Sequence, residues 1–297
     1  MEPDILAVDI GGTKLEVGVV APGGEVTARH RAPTVNDGGP EGLWSVLVGL
    51  IEAAQADTGT RLESLGAVGC GSGGPMSAGG EQVSPLNIPA WRDFPLRSRL
   101  AELTGLPAFV DNDAKALALA EGWLGAARGH RNFLAMVVST GVGGGIVLDG
   151  RLLDGDSGNA GHIGHVIVEP DGHVIPHHVQ GTLETEASGT GIAHWSGHPS
   201  SEADPGLVAR TGTMVGRAVG STANLLDLKL AVVAGSVALG FGPAFFTAAQ
   251  AEIDRVAQLD HSRGTRIIPG GLGADGPLVG AGAVGRRGLG LDVGGIH

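Results

Sequence analysis

The side chains whose types and spacing could do chemistry lie in two glycine turns and at one acidic helix start. Asp9-Ile10-Gly11-Gly12-Thr13-Lys14 closes the apolar run that begins at Ile5. Two glycines let backbone N–H groups approach an anion, Thr13 adds a hydroxyl, and Lys14 adds a positive charge. Asp9, at the strand end, suits a magnesium ion held through water, since that ion prefers oxygen ligands. Ser139-Thr140-Gly141-Val142-Gly143-Gly144-Gly145 is a second cradle of the same kind. One such loop is commonly no more than a hairpin turn. Two of them, each ending an apolar strand, point to phosphates clamped between two domains. Asp111-Asn112-Asp113 opens the helix-forming run Ala114–Ala127. Capping alone accounts for that triplet. Beside phosphate loops, however, a carboxylate at a helix start can accept a hydroxyl proton during phosphoryl transfer.

Both turns sit in one layout: apolar strand, glycine hairpin, apolar strand. The first is Ile5–Ile10 with Leu15–Val20, and the second is Phe133–Val138 with Ile146–Leu148. This recurrence halfway along the chain predicts two related halves, each built on a sheet. Helical spacing is expected over Gly42–Thr58, Pro205–Leu226 and Pro243–Leu259. Buried strands are expected at Leu65–Val68 and Leu230–Ala234. Residues 154–200, polar and rich in Gly and His, read as a loop excursion. Pro277–Arg287 reads as a weak final helix because of its glycines.

Composition narrows the ligand class. The 297 residues carry 19 basic and 31 acidic side chains, a net charge of −12, with only three lysines (Lys14, Lys115, Lys229) and no basic block. Nucleic acid is therefore not an expected partner. Cys70 is the single cysteine, which excludes an internal disulfide and a thiolate-rich zinc site. No apolar stretch reaches spanning length and the acidic N-terminus is unlike a signal peptide, so a cytoplasmic protein without membrane contact is expected. Glycine, 54 of 297, is more than twice the usual ~7%, and it falls at turns between apolar runs. No Gly-Lys-Ser/Thr occurs, which excludes a Walker loop. The G-x-G-x-x-G spacings at Gly69, Gly71, Gly74 and at Gly280, Gly282, Gly285 open no βαβ unit, and read as turn or packing glycines.

Taken together, Asp9–Lys14, Asn112-Asp113 and Ser139–Gly145 resemble the ROK family (repressors, unknown reading frames and sugar kinases). So do the loop at Asn87, the run Gly158–His165, Gly181-Thr182-Leu183-Glu184 with Ala187-Ser188-Gly189, and Val233–Val237. The likeness runs from residue 5 to about 290 in the family's order. It implies an α/β protein of two actin-like (ribonuclease H-like) domains with an active-site cleft between them. The smaller domain is expected over residues 1–112 plus the C-terminal helix 279–297, and the larger over 113–278. The implied activity is ATP- and magnesium-dependent phosphorylation of a hexose hydroxyl, glucose being the first expectation and its 6-hydroxyl the acceptor. An N-acetylmannosamine or N-acetylglucosamine kinase, a polyphosphate donor, and a non-catalytic sugar-binding regulator are the alternatives. By the resemblance Asp113 is the general base. Gly74, Asn87, Asn112, His162, His165 and Glu184 line the sugar site. Asp9, Gly11, Gly12, Thr13, Lys14, Thr140, Gly141, Gly143, Gly235 and Ser236 bind nucleotide, with magnesium near Asp9. A homodimer is compatible with the family. The first phosphate loop starts within ten residues of Met1, which resembles the kinase branch rather than the repressors.

Two positions depart from the family pattern. His162 stands where kinases commonly have Glu, so one donor and one acceptor replace a carboxylate. The family's structural zinc uses one His and three Cys. His165 matches that His, but the cysteine positions hold Ile175, His177 and Thr182. Zinc is not expected, although His173, His177 and His178 with His165 leave a substitute site open against the commoner reading of exposed loop histidines.

Overall fold

The computed structural model describes residues 2–35, 38–59, 62–176 and 178–297. The chain divides into two units, one of residues 1–128, 152–160 and 272–297, the other of residues 129–151 and 161–271.

In the first unit the apolar run Ile5–Ile10 forms β1, buried along its whole length. The turn at 11–13 reverses the chain into β2 (Lys14–Val20), and β3 (Val26–Pro33) continues the antiparallel meander. Helix α1 (Gly39–Thr58) places Leu43, Leu47, Leu50, Ile51 and Ala54 on one buried stripe. Next, β4 (Ala67–Ser72) runs parallel to β1, helix α2 (Leu96–Thr104) follows, and β5 (Ala108–Asn112) runs parallel to β4. The sheet order is β3-β2-β1-β4-β5. Helix α3 (Asp113–Trp123) starts directly from β5.

The second unit opens with the antiparallel pair β6 (Phe133–Val138) and β7 (Val142–Leu148), followed by β8 (Arg151–Leu152). Helices α4 (Leu183–Ala187), α5 (Gly189–Ser196) and α6 (Pro205–Leu226) precede β9 (Leu230–Ala234), which is parallel to β6. Helix α7 (Ser236–Val256) leads to β10 (Arg266–Pro269), parallel to β9. The order β10-β9-β6-β7-β8 repeats that of the first sheet. The recurrence seen in the two glycine hairpins thus extends to each whole sheet. The chain ends with α8 (Gly276–Gly288), which packs on α3, β4 and β1 of the first unit.

Several expectations shift. The strand expected at Leu65–Val68 runs instead from Ala67 to Ser72, through three alternating glycine and cysteine positions. Glycine is there because α8 lies against it: a Cβ on Gly69 would stand 2.0 Å from the Ala281 carbonyl oxygen and 2.6 Å from the Gly285 nitrogen. The same packing explains why the glycines of α8 do not unravel it. A Cβ on Gly280 would come 2.8 Å from the Ala116 oxygen, on Gly282 2.8 Å from Val20, and on Gly288 2.2 Å from Phe109. Close backbone contact replaces the propensity those residues lose. Because α3 packs on α8, it groups with the first unit, so the division falls after Arg128 rather than at 112/113. Residues 152–160 return to that unit, and the remainder of the excursion contains α4 and α5. Helix α7 begins before Pro243, and the breaker shows as a kink at Gly242 (φ 63°). Among the described residues no helix is long and apolar enough to cross a membrane.

Two glycine substitutions separate close approach from propensity. Gly69→Ala is expected to lower unfolding free energy by about 1–3 kcal/mol, because backbone rather than a movable side chain blocks the new methyl. Gly49→Ala, on the exposed side of α1 with nothing within 4 Å of its Cβ position, is expected to raise it by about 0.5–1 kcal/mol. Urea unfolding of both variants reads the difference, and equal effects would contradict the packing account.

Candidate functional site

In the first unit the site residues gather at the carboxyl ends of three neighbouring parallel strands. The register aligns Asp9 with Gly71 and Gly71 with Asp111, then Ile10 with Ser72 and Ser72 with Asn112. Asn112 caps α3, its side-chain oxygen accepting from the Ala114 N–H at 3.0 Å. The same N–H lies 2.8 Å from Asp113 Oδ1. Gly71 separates the two acids: its Cβ position lies 3.6 Å from Asp113 Cα and 3.7 Å from Asp9 Oδ1. Burial, then repulsion from Asp113 and Glu16, pushes the Asp9 carboxyl up to about 8, with Lys14 opposing. The helix N-terminus meanwhile favours a carboxylate at Asp113.

The hairpin is closed by the Gly11 N–H donating to the Lys14 carbonyl at 3.0 Å. Gly12 packs against the Asn87 loop, where a Cβ would meet Asn87 Cβ at 2.7 Å. Thr13 is exposed. Gly74 joins the same cluster, its carbonyl accepting from the Leu86 N–H at 3.2 Å. The Lys14 ammonium is turned to Glu16, a wholly buried carboxylate that also lies 3.3 Å from Arg31. Asp9, Gly11, Gly12, Lys14, Gly74, Asn87, Asn112 and Asp113 are thus brought to one region of the first unit.

The second unit assembles its own group around the Ser139–Gly145 turn. Ser139 N–H donates to the Gly141 oxygen (2.9 Å), while the Ser139 and Thr140 oxygens accept from Gly189 and Thr190 N–H (2.7 and 3.2 Å). Glu184 Oε2 accepts from the Val142 N–H at 2.9 Å, tying α4 to the turn. Gly164 is required in that corner, since a Cβ there would stand 2.3 Å from the Val142 oxygen. Gly235, at φ +102°, lies against Val138, and Ser236 Oγ is 2.9 Å from Ser139 Oγ. Gly143 follows on β7, paired with Val137. His162 and His165 face each other with ring centroids 5.8 Å apart. The Nε2 of His162 is buried with no hydrogen-bond partner in the structure. Burial, then repulsion from His165, holds the His162 imidazole below the usual histidine value, with Glu184 opposing. His162 is therefore neutral at pH 7.

Among the described residues, the groups at the family's zinc-cysteine positions do not suit that metal. Ile175 is buried and aliphatic. Thr182 Oγ1 is engaged by Thr185 Oγ1 (2.9 Å) and the Val179 oxygen (3.2 Å). The His173 Nδ1 is taken by Glu186 at 2.8 Å. His177 lies outside the described residues.

Two groups gave weaker sequence signals. Glu16 faces Asp9 across the β1–β2 ladder, and a charge inside an otherwise apolar strand could have marked it. Lys115, 2% exposed, reaches Asp111 (2.8 Å) and Asp154 (2.6 Å). A lone lysine in the apolar run of α3 was the signal, but nothing in the sequence pointed to residue 154.

Comparison with known proteins places the chain in a family. The ROK family profile matches residues 5–287. The chain is 35% identical over 252 residues to an N-acetylmannosamine kinase of Citrobacter koseri, covering 80% of this chain and 84% of that protein. It is 37% identical over 191 residues to a glucokinase of Thermotoga maritima, a match spanning 63% of this chain and 58% of that relative's length. Among solved structures, the ROK hexokinase of Thermus thermophilus superposes with TM-score 0.81 at 32% identity, covering 97% of this chain and 99% of the other. A ROK family glucokinase from Streptomyces griseus in complex with glucose and AMPPNP gives TM-score 0.83 at 27% identity, covering 96% and 99%.

His162 generates a pH prediction. Its folded-state value lies below the unfolded one, so the unfolded chain takes up the proton first as pH falls. Stability is then intact above about pH 6.5 and declines below it. The melting temperature is expected to fall between pH 7.5 and 5.5 more steeply for the wild type than for His162→Asn, and parallel curves would contradict a buried neutral imidazole.

Proposed function

The chain belongs to the ROK family, and on that footing we propose that it is an ATP-dependent sugar kinase acting on a hexose hydroxyl. The observation that carries this reading is the placing of Asp113 at the start of α3, beside the Asn112 cap and next to Asp9 at the end of β1. A carboxylate in that position is suited to take a proton from an alcohol. In the proposed reaction the hydroxyl oxygen bonds to the γ-phosphorus, the bond to the β-phosphate oxygen breaks, ADP leaves, and the hydroxyl proton passes to Asp113. The first unit would supply Gly74, Asn87 and Asn112 to the sugar, with Asp9 and Gly11–Lys14 to the phosphates. The second would supply His162, His165 and Glu184 to the sugar, with Thr140, Gly141, Gly143, Gly235 and Ser236 to the nucleotide.

The residues around Asp9 fit a magnesium ion. Burial raises Asp9, repulsion from Asp113 and Glu16 adds to it, and a nearby divalent cation would favour the carboxylate there. Among the described residues no three or more acid, His or Cys side chains converge on one ion, which suits a metal held largely by phosphate and water. When bound, magnesium would neutralise charge on the transferring phosphate.

We assign the acceptor as the 6-hydroxyl of glucose or a related hexose. A glucokinase and an N-acetylmannosamine kinase are both among the relatives. His162 bears on the choice, because a neutral imidazole with one unpartnered nitrogen offers a single hydrogen bond to the ring. The same residue favours, as a second reading, a non-catalytic sugar-binding regulator. Both cradles and Asp113 favour the enzyme, since sensing a sugar requires neither.

ADP release over glucose, mannose, N-acetylmannosamine and N-acetylglucosamine separates the two readings. Turnover is expected with at least one sugar, and none with any would overturn the kinase assignment. Asp113→Asn is expected to lower kcat by about 10²–10⁴-fold while sugar binding, read by calorimetry, stays close to wild type. Near-normal turnover would remove Asp113 from the base role.

A further inference from the structure

Residues 166–182 connect the short turn carrying His165 to α4, which carries Glu184. Several backbone bonds link its described residues. Val168 and Glu169 N–H both donate to the Gly181 oxygen (2.9 and 3.1 Å), and Gly181 N–H donates to the His173 oxygen (3.2 Å). Val168 and Ile175 are buried, while Ile167, Val174 and Val179 are exposed, so apolar burial holds only part of the segment.

Ionic contacts hold the rest. Glu186, wholly buried on α4, accepts from the His173 backbone N–H at 2.5 Å and pairs with His173 Nδ1 at 2.8 Å. Arg210 of α6 reaches the same carboxylate. The His173 ring stacks on Trp195 of α5 at 4.0 Å and 9°, and the Arg210 guanidinium lies 5.3 Å from that indole. Seven residues further along α6, on the same helix face, Arg217 donates to the Val168 oxygen (3.1 Å) and to Glu169 (2.7 Å). Glu252 of α7 anchors Arg217 at 2.9 Å. Gly172 is needed beside the first contact, since a Cβ there would stand 2.2 Å from Glu186 Oε1.

We propose that these two tethers, Glu186–His173–Arg210 and Glu169–Arg217–Glu252, form a metal-free clasp that fixes the 166–182 segment and so positions His165 and Glu184 for the sugar. The consequence for sugar rests on the kinase reading; the clasp itself does not. The donor set supports the assignment, because among the described residues Ile175 is aliphatic, the Thr182 hydroxyl is engaged by Thr185 and the His173 Nδ1 is engaged by Glu186. Glu186 lies two residues from Glu184 on a helix of only five residues. Releasing Glu186 therefore loosens the helix that holds Glu184 on the Val142 N–H. Glu186, Arg210 and Arg217 are positioning residues.

Amide hydrogen exchange of the full chain tests the clasp without reference to activity. Wild-type protein dialysed against a zinc chelator is expected to keep its protection over 168–181. Glu186→Gln and Arg210→Met are expected to speed exchange there by about tenfold or more, the loss of a charge-assisted bond, while α6 and α7 stay protected. Arg210→Lys is expected to recover part of it. If dialysed wild type loses protection that added zinc restores, a metal holds the segment and the clasp is overturned. Unchanged exchange in both variants overturns it as well. Kinetics then read the positioning: sugar KM is expected to rise about tenfold in both variants, with kcat and the ATP KM near wild type. An unchanged sugar KM alongside faster exchange would sink the positioning role alone. A wild type that phosphorylates no sugar would sink the kinase reading and leave the exchange result standing.

Discussion

Burying Asp9 beside Asp113 and Glu16 is the constraint around which the first unit is arranged. Taking Asp9 out of water disfavours its charge, repulsion from Asp113 and Glu16 adds to that, and the Asp9 carboxyl is pushed up to about 8. The fold offsets that cost locally. Lys14 and Arg31 face Glu16, and the N-terminus of α3 favours negative charge at Asp113. Gly71 lets the two acids approach from either side of β4 without a side chain intervening. An isolated acidic cluster of this kind would be a liability in a protein with no use for it. In the proposed kinase it would lie next to a glycine turn receiving phosphate, where a divalent cation and a proton transfer would both relieve it.

Keeping the acids in place demands backbones closer together than ordinary side chains permit. Helix α8 meets β4 through Gly69, meets α3 through Gly280, and meets β1 through Gly285, whose Cβ position is 2.6 Å from Ile5. The abundance of glycine is therefore structural in this unit as much as it is suited to phosphate. Glycine packs with little apolar area and gives up more chain entropy than other residues on folding. Buried charge networks stand beside these thin contacts. Lys115 and Arg287 both reach Asp154, and through it the 152–160 return segment is fixed to α3 and α8. Asn159 adds two bonds to the Met76 backbone, at 3.1 and 2.8 Å.

How much of this could be read from the sequence follows from the range of each interaction. The hairpins, α6 and β9 were legible because periodicity and turn glycines are local signals, and α6 and β9 fall where apolar spacing placed them. Repetition of the hairpin implied the repeated sheets. The final helix was placed at Pro277–Arg287 and is found as α8, but its firmness was not legible, since glycine lowers helix propensity when counted alone and supports a helix only when the partner backbone is known. The extent of β4 was hidden for the same reason. In the site, the Asn112 cap was readable from residue type. The turning of Lys14 toward Glu16 was not, because it depends on which face of β2 is buried. Asp154 and Glu186 were out of reach entirely: each acts on residues more than ten positions away, and nothing in their neighbours marks them.

The two units solve one problem by different means, and the difference lies in what each must hold still. The first has α8 and α3 pressed on its sheet, so its acids rest on backbone contact that only mutation of a glycine can relax. The second carries His162, His165 and Glu184 around a segment that buries Val168 and Ile175 but leaves Ile167, Val174 and Val179 exposed. The exposed part needs directional bonds, and with one cysteine in the chain, itself buried on β4 in the first unit, thiolate ligation is not open to it. Carboxylate and guanidinium are the remaining groups able to fix a backbone by several bonds at once. Glu186 does so by accepting a main-chain N–H, an imidazole and a guanidinium together, and its full burial keeps water from competing for them. A polar clasp therefore follows from the same composition that leaves this chain poor in aromatics and in sulfur.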